Sequence, residues 1–297
     1  MHLIDMHSHW GTEETHPARS AEARERQQKF WGRKASYDTE QEMADYFRRS
    51  NASAILDYGF TRDLPLAECV RYHDYAIAAQ ARHPDAILGF WVQVDPRTGA
   101  EGARELQRCI ESSKGFVSYS VSAAGTGFAA SDPIYDPFYD VVEKAGRPVL
   151  ILVGYTATGG GTPGGGGGVE LELCHPRYVD RVAIARPHMQ IISGRPAWPW
   201  QEEMIAVMLH KRNVWSELHG WSPKYYPDSL KREIRGRLKG RFMFGADYPM
   251  LRYERLVAEW RELGYSEEIL ADIFHGTAER LLGIGSPIDD KKEGAAT

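Results

Sequence analysis

Ile4-Asp5-Met6-His7-Ser8-His9, at the start of the chain, and Phe244-Gly245-Ala246-Asp247-Tyr248-Pro249, near its end, are both short apolar runs that stop at polar side chains. The polar groups are of the kind that hold a metal or a proton. A closed parallel barrel is an economical way to set a first and a last strand side by side. Working outward from this pair, six further apolar runs lie between: Ala54–Tyr58, Ile87–Val94, Phe116–Val121, Val149–Val153, Met189–Ser193 and Val214–Leu218. Their apolar character is nearly continuous, as expected of strands covered on both faces. Helix-period stretches separate them, the first introduced by Asp38 or Thr39 as cap with Glu42 in the first turn. Eight such repeats with right-handed crossovers predict an α/β fold, a (β/α)8 TIM barrel.

The 297 residues fit one barrel domain over 1–285 followed by a polar tail over 286–297. Apolar residues make up 42% and charged residues 26%, which suits one large core under a soluble surface. The net charge of −5 argues against nucleic acid as a partner and leaves a small anionic substrate open. Cys69, Cys109 and Cys174 are not spaced as a metal knuckle or redox pair, so reduced thiols in a cytoplasmic protein are expected. No signal peptide and no membrane span is expected. Two segments break the βα rhythm. Residues 11–34 read as a long polar loop after the first strand. Residues 157–168 read as a glycine-rich loop after the fifth, more suited to a lid or tight packing than to phosphate, since no Lys-Ser/Thr ending follows.

Active sites of such barrels lie at the C-terminal ends of the strands. There the sequence offers His7 and His9, Asp57, Gln93 and Asp95, Tyr119, Tyr155, Arg195, His219 and Asp247. Residues i and i+2 of a strand face one side, so His7 and His9 can share a centre. Asp247, in a Gly-x-Asp-x-Pro corner, suits a metal ligand or a general base, against a plain helix cap. Tyr155 could donate to an oxyanion, His219 could serve as acid or base, and Trp198 and Trp221 could stack on a flat ring. His16, His73, His83, His175, His188 and His210 read as surface or helix residues, with His175 beside the glycine loop as the one worth testing.

His7-Ser8-His9, Trp198-Pro199-Trp200-Gln201-Glu202-Glu203-Met204, Gly220-Trp221-Ser222-Pro223-Lys224-Tyr225 and Phe244-Gly245-Ala246-Asp247-Tyr248-Pro249 together resemble the amidohydrolase superfamily. The likeness is strongest to its branch related to aminocarboxymuconate-semialdehyde decarboxylase. The resemblance implies a metallo-dependent-hydrolase-like barrel, metal-binding histidines at His7 and His9, and a catalytic aspartate at Asp247. It also implies histidines at the ends of strands five and six. Here strand five ends Leu152-Val153-Gly154-Tyr155, and Arg195 stands in the strand-six position. Arginine stays protonated and would repel a nearby divalent cation, whereas it clamps a carboxylate well. The alternative for Arg195 is a salt bridge to a neighbouring acid such as Glu217.

The leading expectation is therefore a hydrolase or lyase working by acid–base chemistry on a small carboxylated ring or lactone, with no cofactor favoured. Should a zinc or manganese ion be bound, His7, His9 and Asp247 would hold it. The alternatives are a metal-dependent decarboxylase of an aromatic acid and a non-catalytic binding pseudoenzyme. Relatives are often dimers, so a homodimer is expected by resemblance.

Overall fold

The computed structural model describes residues 1–32 and 34–284; the polar tail expected over 286–297 lies outside them. The elements run β1 (Leu3–His9), α1 (Ala21–Trp31), α2 (Glu40–Arg49), β2 (Ala52–Asp57), α3 (Leu66–Arg82), β3 (Ile87–Val92), α4 (Gly99–Ser112) and β4 (Phe116–Val121). Next come α5 (Ala123–Thr126), α6 (Asp136–Lys144), β5 (Val149–Leu152), α7 (Gly165–Gly168), α8 (Arg177–Ala185) and β6 (Ile191–Gly194). The chain continues with α9 (Gln201–His210), β7 (Val214–Glu217), α10 (Asp228–Arg235), β8 (Phe242–Met243), α11 (Tyr253–Glu262), α12 (Glu267–Ala271) and α13 (Thr277–Leu282). A wide turn over Asp272–Gly276 joins the last two helices.

The eight strands are parallel and follow one another in sequence order, β1 to β8. Three backbone bonds then close the cylinder between its ends: Met6 N–H to Phe244 O at 3.0 Å, Asp247 N–H to His7 O at 2.9 Å and His9 N–H to Tyr248 O at 2.7 Å. The fold is the expected TIM barrel. Its interior is filled by Ile4, Met6, Ile55, Trp91, Leu150, Leu152, Ile192 and Met243. A larger apolar layer, including Phe47, Phe90, Val117, Tyr119, Phe138 and Leu256, lies between strands and helices. Both faces of each strand are thus covered, which explains the near-continuous apolar runs.

Local sequence accounts for the helix starts. Thr39, not Asp38, caps α2, and a capping box forms with Glu42: Glu42 N–H donates to the Thr39 hydroxyl at 3.2 Å and Thr39 N–H to the Glu42 carboxylate at 2.8 Å. Residues 11–34 are not all loop, as the sequence suggested, because α1 lies within them. Ser20 caps it by accepting from Ala23 N–H, and Gly32 ends it in the left-handed region at φ 65°. The helix carries no apolar stripe, so periodicity gave no sign of it. Phe30 on α1 lies against Gly161 of the glycine-rich segment, so the two irregular insertions meet.

Candidate active site

β1 runs on through His7 and Ser8 to His9, and its pairing with β2 shifts between Asp5 and Ser8. The shift falls where the Asp5 carboxylate accepts the His7 N–H at 3.0 Å. His7 and His9 come out on neighbouring sides of one pocket, their rings 5.2 Å apart and nearly perpendicular. His7 is fully buried and lies flat on His219 from the end of β7, ring centroids 3.7 Å apart at 6°. The two distant segments meet directly: His9 Nε2 is 3.1 Å from Asp247 Oδ1.

Around His7 the ring of polar groups continues in both directions. On one side, His7 Nε2 is 4.0 Å from Asp57 Oδ2, which accepts from Gln93 Nε2 at 2.6 Å. On the other, His7 Nδ1 is 3.9 Å from Glu217 Oε1, and that oxygen is 2.6 Å from His219 Nδ1. Glu217 is completely buried, held between strands whose glycines leave it room: a Cβ on Gly194 would sit 2.8 Å from Oε1, and one on Gly245 2.6 Å from Oε2. Gly245→Ala is accordingly expected to push the Glu217–His219 pair out of place and to lower stability by about 1–3 kcal/mol, read from chemical denaturation.

Arg195 leaves β6 with φ 75°, a left-handed conformation unusual for a side chain of its size. Its charge bears on His7, Glu217, His219 and Asp247 together, which places the guanidinium at the pocket. The alternative salt bridge to Glu217 is not formed: among the described residues Arg195 has no carboxylate within 4.0 Å, and its buried Nη1 has no hydrogen-bond partner.

The electrostatics follow from burial set against these contacts. Burial drives His7 well below its usual value, helped by His219, His9 and Arg195. Burial and then Arg195 take His219 down to about 3. Burial lifts the Glu217 carboxyl to about 8 against the hydrogen bond from the His219 backbone and the charge of Arg195. Glu217 and His219 are thus both pressed toward their neutral forms. His9 and Asp247 behave oppositely. Burial opposes their charges too, but their mutual hydrogen bond and attraction outweigh it, so His9 is raised and Asp247 lowered. Their side chains keep 17% and 21% exposure, so this ion pair sits at the mouth of an otherwise sealed cluster.

The remaining candidates divide. Asp57 and Gln93 join the pocket. Asp95 instead caps the turn at Pro96–Thr98, and Tyr119 is buried outside the barrel against Phe138. Asp247 caps no helix, its side chain being directed to His9. Tyr155 packs on Trp198 with its hydroxyl toward Gly160, and no bond ties it to the histidine cluster among the described residues. Trp198 is 47% exposed and 5.7 Å from Trp221, a pair of indoles by the strand-six and strand-seven ends. His175 lies in a local turn ahead of α8, its Nδ1 accepting from Arg177 N–H at 3.1 Å. Four histidines read as surface or helix residues are buried: His16 by its own turn, His73 beside Glu105, His83 beside Glu40 and His175 against Trp200. Glu217, weighed in the sequence only as a partner for Arg195, is the central residue that pattern reading missed.

The cluster also contains donors of the kind that hold a divalent ion. Ligand atoms of His7, His9 and Asp247 lie within 4.8 Å of one another. His9 Nδ1 is directed to the Asp57 carbonyl at 3.2 Å, the outer bond that commonly orients a metal-binding imidazole. The donor set fits such an ion in kind.

A sequence profile for amidohydrolases matches residues 4–284. The chain belongs to the amidohydrolase family. Solved structures resemble it over nearly its whole length. The 5-carboxyvanillate decarboxylase of Sphingomonas paucimobilis is 16% identical, with a TM-score of 0.69 over 96% of this chain and 99% of its own. A dihydroxybenzoic acid decarboxylase from Polaromonas, solved with manganese and the inhibitor 2-nitroresorcinol, is 16% identical, with a TM-score of 0.67 over 95% and 97%. A probable 2-pyrone-4,6-dicarboxylic acid hydrolase from Acinetobacter baumannii, solved with citric acid, is 14% identical, with a TM-score of 0.63 over 96% and 100%. No curated protein matches the chain by sequence. Among the described residues no helix is long and apolar enough to cross a membrane.

Proposed function

We propose that this amidohydrolase adds water to a small carboxylated ring or lactone, by acid–base chemistry carried by its own side chains. The observation that carries this reading is the buried, unpartnered Nη1 of Arg195 beside His7, His219 and Asp247. A buried cation without an anion is costly, and a substrate carboxylate supplies the missing partner in the geometry that guanidinium binds best. Trp198 and Trp221 offer the flat apolar faces that a ring would lie against.

In this reading Asp247 takes a proton from water as the oxygen adds to the substrate carbonyl. His9, protonated through its contact with Asp247, returns a proton to the departing ring oxygen, so the charge of the pair is restored. Glu217, kept neutral by burial, donates its O–H to His219 Nδ1, so the neutral ring carries its proton on Nε2, which is free to donate to the developing oxyanion. That role falls to His219 rather than Tyr155, whose hydroxyl is turned toward the glycine segment. A divalent ion, if bound by His7, His9 and Asp247, would supply Lewis-acid polarisation of a substrate oxygen. The fixed charge of Arg195 in the same cluster works against it, so we favour the reading without one.

Two measurements test this. Arg195→Ala should weaken binding of a carboxylated ligand such as benzoate by about 2–5 kcal/mol by calorimetry. Unchanged affinity removes the clamp. Elemental analysis of the purified protein should find no stoichiometric metal. Tightly held manganese or zinc would overturn the metal-free chemistry and favour the metal-dependent decarboxylase of an aromatic acid, for which His7, His9 and Asp247 supply the donors.

A further inference from the structure

Arg195 is not the only arginine at the strand ends with a buried N–H left without a hydrogen-bond partner. Arg62 follows β2, its side chain 12% exposed. Its Nη1 reaches Gln93 Oε1 only at 3.5 Å, the limit of a hydrogen bond. Its buried Nε has no hydrogen-bond partner, the nearest carboxylate being the exposed Asp63 at 3.7 Å. Arg62 therefore ends one arm of the polar ring, running His7, Asp57, Gln93, Arg62, as Arg195 ends the other beside Glu217 and His219.

The two ends approach each other across the segment after β4. Arg62 lies against Gly125, where a Cβ would sit 2.1 Å from Nε. The neighbouring Ala124 backbone bonds Cys174, which feels the charge of Arg195. Arg62 lies within the field of Arg195, and burial disfavours its charge. Two like charges that bear on one another in a low-dielectric site, each with one buried N–H left without a hydrogen-bond partner, are expensive in isolation. Such a pair is stable when two negative charges, or one shared between them, come to lie between.

We infer that the substrate carries two carboxylates, one held by Arg195 next to His9 and Asp247 and the second held by Arg62 across the pocket. This rests on the proposed carboxylate clamp at Arg195 and adds a second anchor to it. A dicarboxylate would enter with its reacting carbon between the acid–base pair and the two guanidinium groups. Arg62 then selects the substrate without touching the reacting atoms.

Calorimetric titration of the full chain with isophthalate and benzoate, which differ by one carboxylate, tests the inference. The wild type should bind isophthalate at least tenfold more tightly than benzoate. Arg62→Gln should weaken isophthalate at least tenfold and leave benzoate within twofold, whereas Arg195→Gln should weaken both. Without ligand, Arg62→Gln should melt at or above the wild-type temperature, because it removes a largely buried charge whose one ion pair is a long contact of 3.7 Å to the exposed Asp63. Equal wild-type affinity for the two acids, or an Arg62→Gln variant that keeps tight isophthalate binding, would overturn the second anchor. So would a variant that loses both ligands together with several degrees of thermal stability, which would make Arg62 a brace. If Arg195→Gln leaves benzoate binding intact, the clamp at Arg195 fails, and the failure is separate from that of Arg62.

Discussion

Asp247→Asn is expected to reduce turnover by about 10²–10⁴-fold while leaving the fold intact. The retained fold follows from the backbone: Asp247 sits at φ 64°, a conformation asparagine adopts with little cost and alanine does not. The loss of rate follows from chemistry, since an amide cannot take a proton from water at neutral pH. The substitution also removes the charge that raises His9, so the His9 ring should lose its proton at lower pH in the variant. Ring-proton titration of His9 by NMR reads this directly. A variant with full turnover on the true substrate would show that the base lies elsewhere.

The same pair fixes a pH window for the wild type. Asp247 is lowered from its ordinary 3.8, so its contribution is present above that value and is lost as pH falls through the depressed value. His9 is raised from its ordinary 6.5, so its contribution is complete below 6.5 and is lost as pH rises through the elevated value. The ion pair is therefore whole between these limits, and activity that needs both charges should fall away on both sides.

What could be read from the sequence was whatever a strand states locally. Continuous apolar runs gave eight strands, and the polar residues ending them gave His7, His9, Asp57, Gln93, Arg195, His219 and Asp247, which the barrel gathers at one mouth, but also Asp95, Tyr119 and Tyr155, which lie apart from the cluster. The amidohydrolase likeness of four motifs agrees with the family profile over residues 4–284. What could not be read depends on neighbours distant in sequence. Glu217 ends an apolar strand like any rim residue, and only the missing side chains of Gly194, at the end of β6, and Gly245, just after β8, allow it inside. Arg62 lies in a short turn with no pattern around it and becomes notable only when its Nε is found buried and unpaired. The helix α1 has caps but no apolar face, so the one signal that marks most helices was missing.

Asp5 supplies the largest expected effect on stability. Its carboxylate is fully buried and accepts four hydrogen bonds: His7 N–H and Ala246 N–H at 3.0 Å each, Tyr253 O–H at 2.7 Å, and the Ser8 hydroxyl. Burial pushes its pKa up to about 6 against those four donors, so at neutral pH it remains largely ionised. One side chain thereby ties β1 to the segment after β8 at the seam where the barrel closes, directly beneath His7 and Asp247. Asp5→Ala strands four donors in an apolar surrounding. At about 1 kcal/mol or more for each, the loss should reach about 3–5 kcal/mol, measured by denaturant unfolding. Asp5→Asn should lose clearly less. Its amide oxygen can still accept the two backbone N–H groups, and the Ser8 and Tyr253 hydroxyls can turn to accept from the amide nitrogen. The order Ala worse than Asn is the mark of a hydrogen-bonding seam; equal losses would mean that the charge itself, not the donors it satisfies, holds the first strand to the last.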